Sequence, residues 1–496
     1  WLACSPCLIA AEIKPADDTP PPLSPEESLQ RFQLPAGFRI ELVASEPHLA
    51  DPTGIAFDAR GRIFVCELHG YNLEGHYEVL ELNKTGQLDK SVRRILASKE
   101  ALERAEKETY GTVKLLEDTD GDGRMDRAAV WADRLPACYG VVAARDGVIV
   151  LCAPDIVYLA DRNGDGQAEV RETLFTGFGV GELWTRISHP QWGVDNWIYA
   201  ACGDGSAGTI RGPHLATPVK LGRTGFRFKA DGSRFEPVSG GTSGFGLALS
   251  DWDDRFLVSN QQHALYVAPL PYRYLARNPH YAAPNTVVNI SSYGHPAQVF
   301  PTAPPDPWRL RRSQEPDWVK FYGAAETTMG LVTAACAPLV YCADQFPVEY
   351  RDNHFSCESA YNLIHRCVLQ TAGASFKAVR PLENTEFLTS TEQWFRPVNL
   401  AVGPEGALYV VDMYREIIED YSAIPRYLQQ QYGLIKGHDR GRIWRVLYEQ
   451  AALPSQAGLA KAPSPPDKAA PPVSSEAHPP LTPGLSLVER EKLKPS

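Results

Sequence analysis

Two short acidic stretches carry the clearest chemistry in this chain. Asp118-Thr-Asp-Gly-Asp-Gly-Arg-Met-Asp126 and Asp161-Arg-Asn-Gly-Asp-Gly-Gln-Ala-Glu169 place oxygen-bearing side chains at every second position, with a glycine after the third. That spacing wraps a loop around a hard cation: carboxylates at positions 1, 3 and 5, a backbone carbonyl at 7 and a sharp turn at 6. The expected ligands are Asp118, Asp120, Asp122, the carbonyl of Arg124 and Asp126 in the first loop. In the second they are Asp161, Asn163, Asp165, the carbonyl of Gln167, Glu169 and Glu172. Glu172 stands at position 12 and completes the bidentate pattern, whereas the first loop has Ala129 there. The same Asp/Asn/Gly chemistry also makes metal-free turns between strands.

The flanks decide what kind of loop this is. Val113-Lys-Leu-Leu116 and Ile156-Val-Tyr-Leu159 are short, apolar and β-branched, so they read as strands and the loops as hairpin turns clipped by Ca2+. A strand–turn–strand unit then recurs along the chain. Its copies are Gly54–Glu67, Gly140–Cys152, Gln191–Cys202, Gly246–Asn260, Pro338–Glu358 and Asn399–Asp412. Six small sheets with irregular insertions predict an all-β fold, a six-bladed β-propeller with short helical insertions. Arg442-Ile-Trp-Arg-Val-Leu447 is placed to close the ring beside Phe38–Ala44.

Aligned on their turns, the six copies carry Glu67, Ala153, Cys202, Asn260, Glu358 and Asp412 at the equivalent position, six residues on. The polar ones are expected to ring the channel mouth, where propellers bind ligands. Alternatively, each is the first solvated residue after its strand. His189, Arg396 and Asn399 precede inner strands and reach the same face. His189 suits a general base near neutrality, and Arg396 suits a carboxylate-bearing cofactor or substrate. Hydrolase triads, Walker loops and dinucleotide fingerprints are absent.

Composition narrows the classes. The chain has 496 residues, a net charge of −11 and no basic patch, which argues against nucleic acid and anionic membranes. Trp1–Ala11 reads as the tail of a signal peptide, so export to the periplasm or beyond is expected, with lipidation at Cys4 or Cys7 as an alternative anchor. No other run approaches the length of a transmembrane helix. Residues 12–34 read as linker and short helix, 35–449 as the propeller and 450–496 as a Pro/Ala-rich tail. Residues 93–108 read as helical, and 269–330, rich in Pro, Tyr and Trp, as a cover on one face. Cys336, Cys342, Cys357 and Cys367 lie close enough in sequence for a disulfide among them.

Leu34–Ala44, Leu115–Gly123, Arg396–Glu416 and Gly437–Val446 together resemble a bacterial family of propellers described as membrane-bound dehydrogenases, often fused to helical repeats and a haem c domain. More distantly, the repeat is similar to the six-bladed soluble glucose (aldose) dehydrogenases that use pyrroloquinoline quinone. The resemblance implies a Ca2+- and quinone-dependent oxidoreductase acting on a sugar or alcohol, with a haem c protein as electron acceptor. It implies His189 as catalytic base and Arg396 at the cofactor; the strand-end ring and the residues before the inner strands add Glu67, Glu358 and Asp412 as catalytic candidates and Asn399 and Asn260 as cofactor-binding candidates. The second cofactor arginine of the quinone enzymes is Val398 here, their Arg-Asn pair is Thr242-Ser243, and their cofactor lysine has no counterpart around Glu358–Asn362. Two other functions fit the residues: a lactonase-like hydrolase with channel Ca2+ on Glu67, Asn260 and Asp412, and a non-catalytic binding propeller.

Overall fold

The computed structural model describes residues 11–449, apart from 73–82, 91, 93–98, 101–102, 104–106, 108, 182–184, 242–243, 279, 282–283 and 323–329. Residues 1–10 of the expected signal-peptide tail, most of the helix expected at 93–108, the Thr242-Ser243 pair and the tail from 450 lie outside these residues.

Six antiparallel sheets form the six blades of a propeller, and each repeat of the sequence supplies the first two strands of one blade. Blade one runs Pro52–Phe57, Ile63–Leu68, Gly111–Glu117 and Arg127–Leu135. Blade two runs Gly140–Ala144, Gly147–Cys152, Asp155–Ala160 and Val170–Thr176. Blade three is built on Ser188–Trp192 and Ile198–Ala201, blade four on Leu247–Leu249 and Arg255–Ser259, and blade five on Ala335–Tyr341 and Asn353–Glu358. Blade six pairs Pro397–Val402, Leu408–Asp412 and Arg442–Tyr448 with the N-terminal strand Phe38–Ser45, so the two ends of the propeller close one sheet. Closure leaves no free edge at the join.

Cohesion comes from the faces between blades. Val150, Leu159 and Cys152 of blade two pack on Phe64, Cys66 and Trp131 of blade one, and an equivalent apolar layer lies between each neighbouring pair. The inner strands contact one another in a closed ring around the axis.

The insertion after blade four does cover one end of this channel. Pro307–Gln314 and Pro316–Tyr322 are short helices, the first with Asp306 at its N-cap and Pro307 at its first position. Residues 11–24 are pinned to the same region: Trp394 Nε1 donates to the Pro20 carbonyl (3.0 Å), and Tyr432 Oη to Asp18 (2.7 Å). Among the described residues, no helix is long and apolar enough to cross a membrane. The expected disulfide does not form: Cys336, Cys342, Cys357 and Cys367 are all free thiols. Cys336 and Cys357 face each other across neighbouring strands, but Cys367 is turned into the interface between blades four and five.

Candidate functional site in the channel mouth

The inner strands are not regular. Pairing slips between Ser188 and Gln191 in blade three, between Cys336 and Leu339 in blade five and between Pro397 and Asn399 in blade six. Such bulges re-aim a side chain. In blade three the bulged residue is His189, which has φ 52° and lines the channel cavities. Non-glycine residues occupy this left-handed region at a cost of about 1–3 kcal/mol, and such strain gathers at functional sites. Space for the ring comes from glycine: a Cβ on Gly246 would stand 3.1 Å from His189 Nε2 and 2.5 Å from Pro338 Cδ.

His189 separates two cavities and lines both. Above it, under the helical cover, is a mouth of about 360 Å3; below it is a basin of about 270 Å3. Its hydrogen bonds set its tautomer. Ser188 Oγ donates to the Gly244 carbonyl (3.0 Å) and so accepts from His189 Nδ1 (3.0 Å). Nε2 is left as the basic nitrogen, 3.3 Å from Asn399 Nδ2. Burial pushes the ring's pKa down from 6.5 to about 4, so it is neutral at physiological pH.

The mouth is walled by Tyr71, Tyr139, Phe245 and Trp318, and two arginines of the covering helix, Arg309 and Arg312, face into it. Arg312 donates to Glu419 Oε2 (3.2 Å) and to the Ala423 carbonyl (2.8 Å), with its guanidinium over the Trp318 ring. Arg309 is different. Its side chain is only 6% exposed, its Nε has no hydrogen-bond partner among the described residues, and its nearest carboxylate, Glu419, is 3.8 Å away. A buried guanidinium without a hydrogen-bond partner is costly, and an anion entering the mouth supplies what it lacks.

Of the residues expected at the site, His189 and Asn260 line the mouth and Asn399 lines the basin. The others do not come to it. Arg396 is fully buried, and it donates to Arg415 O (3.0 Å), Ser359 O (3.2 Å), Glu416 O (2.6 Å) and Asp306 Oδ1 (2.8 Å). Because Asp306 stands at the N-cap of the covering helix, Arg396 anchors that helix, and its full burial withholds it from a cofactor.

Glu67, Glu358 and Asp412 are equally withdrawn. Each closes the second strand of its blade and accepts from amides of the segment leading into the first: Ala50 (2.8 Å) for Glu67, Thr333 and Ala334 (3.2 and 3.0 Å) for Glu358, and Arg396 (2.8 Å) for Asp412. Asp412 also accepts from Tyr414 N and Trp444 Nε1, and Glu67 pairs with Lys114 (3.1 Å). They are clasps, because buried amides with no strand partner demand an acceptor. Burial raises the pKa of Glu358 and of Asp412 to about 7 against the pull of those donors. Glu67 and Asp412 thus share no metal site with Asn260, and the channel-Ca2+ hydrolase loses its ligand set.

The two acidic loops join the third and fourth strands of blades one and two. They are near copies. The first aspartate of each accepts from the amides of both glycines, at 2.7 and 2.9 Å in both loops, and position 9 accepts from the amide of position 2. One carboxylate oxygen from each of Asp118, Asp120 and Asp122 lies within 4.8 Å of the others. Glu172 departs from expectation. It lies in the following strand and pairs with Arg145 (3.1 Å) and His214 (3.4 Å), so the second loop lacks its bidentate ligand just as the first does.

Sequence reading missed Arg309, Arg312, Trp318, Tyr71 and Tyr139. All five sit outside the repeat copies, the two tyrosines just beyond their ends and the other three in the insertion after blade four. The cue present was Asp306-Pro307, a helix start, followed by arginines three apart on one helical face.

No curated protein matches the chain. Among solved structures it is similar in fold to the PQQ-bound form of aldose sugar dehydrogenase from Streptomyces coelicolor, at 14% identity and TM-score 0.41, covering 84% of this chain and 100% of that one. It is similar to the soluble aldose sugar dehydrogenase of Escherichia coli in the apo form, at 12% identity and TM-score 0.39 over 83% and 99%. Virginiamycin B lyase from Staphylococcus aureus is similar at 11% identity and TM-score 0.36 over 83% and 99%. Residues 24–450 match the profile of DUF7133, a domain of unknown function, and the chain belongs to that family.

Proposed function

We propose that this propeller is an oxidoreductase acting on a small hydroxylated molecule, a sugar or another alcohol, with an anionic partner held in the channel mouth. The carrying observation is that a neutral His189 and a buried Arg309 without a hydrogen-bond partner face one cavity of about 360 Å3. His189 Nε2 accepts the substrate hydroxyl proton, Ser188 holds the tautomer, and Asn399 steadies the ring. Arg309 and Arg312 take anionic charge, and the aromatic walls exclude water.

Pyrroloquinoline quinone, a flat polyanion, fits the mouth through Arg309, Arg312 and the rings rather than through Arg396. When bound it would supply the two-electron acceptor. A haem c protein then suits onward electron transfer, and the apolar stretch Trp1–Ala11 supports export. In the same reading the paired acidic loops take Ca2+ and hold the outer strands of blades one and two in register; the three convergent carboxylates support this.

Calorimetric titration of the Ca2+-loaded protein with the quinone tests the reading, followed by a sugar and alcohol panel. One-to-one binding that Arg309→Leu abolishes, with turnover that His189→Asn removes, is the expected result. Binding without turnover of any alcohol would make the molecule a ligand-binding propeller. Absence of binding at tens of micromolar quinone would end the quinone reading.

A further inference from the structure

The apolar layer between blades four and five contains a polar island. His263, on the third strand of blade four, faces His365 and Cys367, on the third strand of blade five, and all three are buried. One ligand atom from each lies within 4.8 Å of the other two. Tyr293 enters from the loop beyond blade four and brings its hydroxyl to their common centre, 2.8 Å from His263 Nε2, 2.9 Å from Cys367 Sγ and in contact with His365 Nε2. Glu386 accepts from the other nitrogen of His365 and is itself paired with Arg380 at 3.0 Å. His354, the cross-strand neighbour of Cys367, is fully buried, and both its ring nitrogens lack hydrogen-bond partners among the described residues.

This is an expensive arrangement for a core. Each imidazole and thiol buried there forgoes water, and an apolar residue of similar size would fill the layer without that cost. The residue types are those of a borderline-soft metal site: imidazole and thiolate select zinc, copper or iron over calcium and magnesium. A carboxylate on the distal nitrogen of a histidine is the usual outer support of a metal-bound imidazole, since it fixes the tautomer and raises basicity. Tetrahedral zinc with bonds of about 2.0–2.3 Å needs donor separations of about 3.5 Å, so an ion takes the central position that the Tyr293 hydroxyl holds and the hydroxyl draws back to ligate it.

We propose that His263, His365 and Cys367, with the Tyr293 hydroxyl as fourth donor, form a closed structural site for a divalent transition ion of the zinc type. The site pins blade four to blade five. All its donors are protein groups, and it is separate from the channel mouth, so its role is stability and not turnover. Binding releases the protons that the thiol and the ligating imidazole nitrogens hold in the metal-free cluster and, where the phenol ligates as phenolate, its proton as well.

The test is elemental analysis of the purified protein, followed by chelation and titration with cobalt(II). The expected result is one zinc per chain and, with cobalt, a thiolate-to-metal charge-transfer band together with the strong visible bands of a tetrahedral ion. The acidic loops offer only oxygen and produce no thiolate band, so their occupancy does not confuse the reading. Cys367→Ser should remove the band. Glu386→Gln, which keeps every ligand, should weaken affinity about 10–100-fold while the band remains at saturation. A wild-type protein that carries no transition metal and develops no thiolate band would overturn the proposal and leave the cluster a hydrogen-bonded network. This outcome is independent of whether the channel mouth binds quinone.

Discussion

Two buried arginines near the channel mouth are used in opposite ways. Arg396, at the start of an inner strand, has four acceptors and is wholly withdrawn into the fold. Arg309, on the covering helix, has no hydrogen bond among the described residues and faces the cavity. A resemblance assigned the ligand to the first; the function proposed above assigns it to the second. A charged side chain in a motif can serve the scaffold, while a residue the scaffold leaves without a hydrogen bond stays open to an anion.

The contrast can be broken by substitution. Arg396→Leu should be the most damaging change. It strands Asp306 as a buried carboxylate and removes the anchor of the covering helix, at about 3–5 kcal/mol, visible as a large fall in the chemical-denaturation midpoint. Asp412→Ala should be of comparable size, since it orphans the amides of Arg396 and Tyr414 and the Trp444 indole, each at about 1–3 kcal/mol when left unmade. Arg309→Leu should behave inversely. Removing a cation without a hydrogen-bond partner should leave stability unchanged or raised, on the order of 1 kcal/mol, while anion binding in the mouth disappears. A large loss of stability on Arg309→Leu would place it with Arg396 as scaffold. The smallest effect belongs to the exposed loops: chelating Ca2+ or replacing Asp118 with Ala should lower the melting temperature by a few degrees, with no change in alcohol-free quinone binding.

Acidity sharpens the same comparison. Glu358 and Asp412 have folded pKa values raised from 4.5 and 3.8 to about 7. The folded state therefore holds protons that the unfolded chain has released. Their contribution is fully present below about pH 4 and is lost as pH rises through about 7. His189 runs the other way: its pKa falls from 6.5 to about 4, so its contribution is present above pH 6.5 and is lost as pH falls towards 4. Denaturation midpoints followed across pH should lose part of their alkaline-side fall in Glu358→Gln, with Asp412 keeping the rest, and part of their acid-side fall in His189→Asn. Turnover depending on His189 as base should persist down to about pH 5 and collapse near 4.

By itself the sequence determined the six repeats, the closing strand Arg442–Tyr448 beside Phe38–Ser45, the hairpin nature of the acidic loops and the place of His189 at the channel. Each of these is written in local periodicity, turn chemistry or apolar patterning, which short stretches specify without knowing their neighbours. Only the tertiary structure decided which polar groups face the channel cavities. Glu67, Glu358 and Asp412 were legible as a ring at the strand ends, but not as clasps, because the amides they bind belong to segments before the preceding strand. Glu172 matched its motif yet found Arg145 and His214 instead. Arg396 found Asp306, ninety residues away, and Arg309 was brought to the cavity by a helix outside the repeat. A buried charge takes whichever partners folding delivers to it, and those partners lie far along the chain.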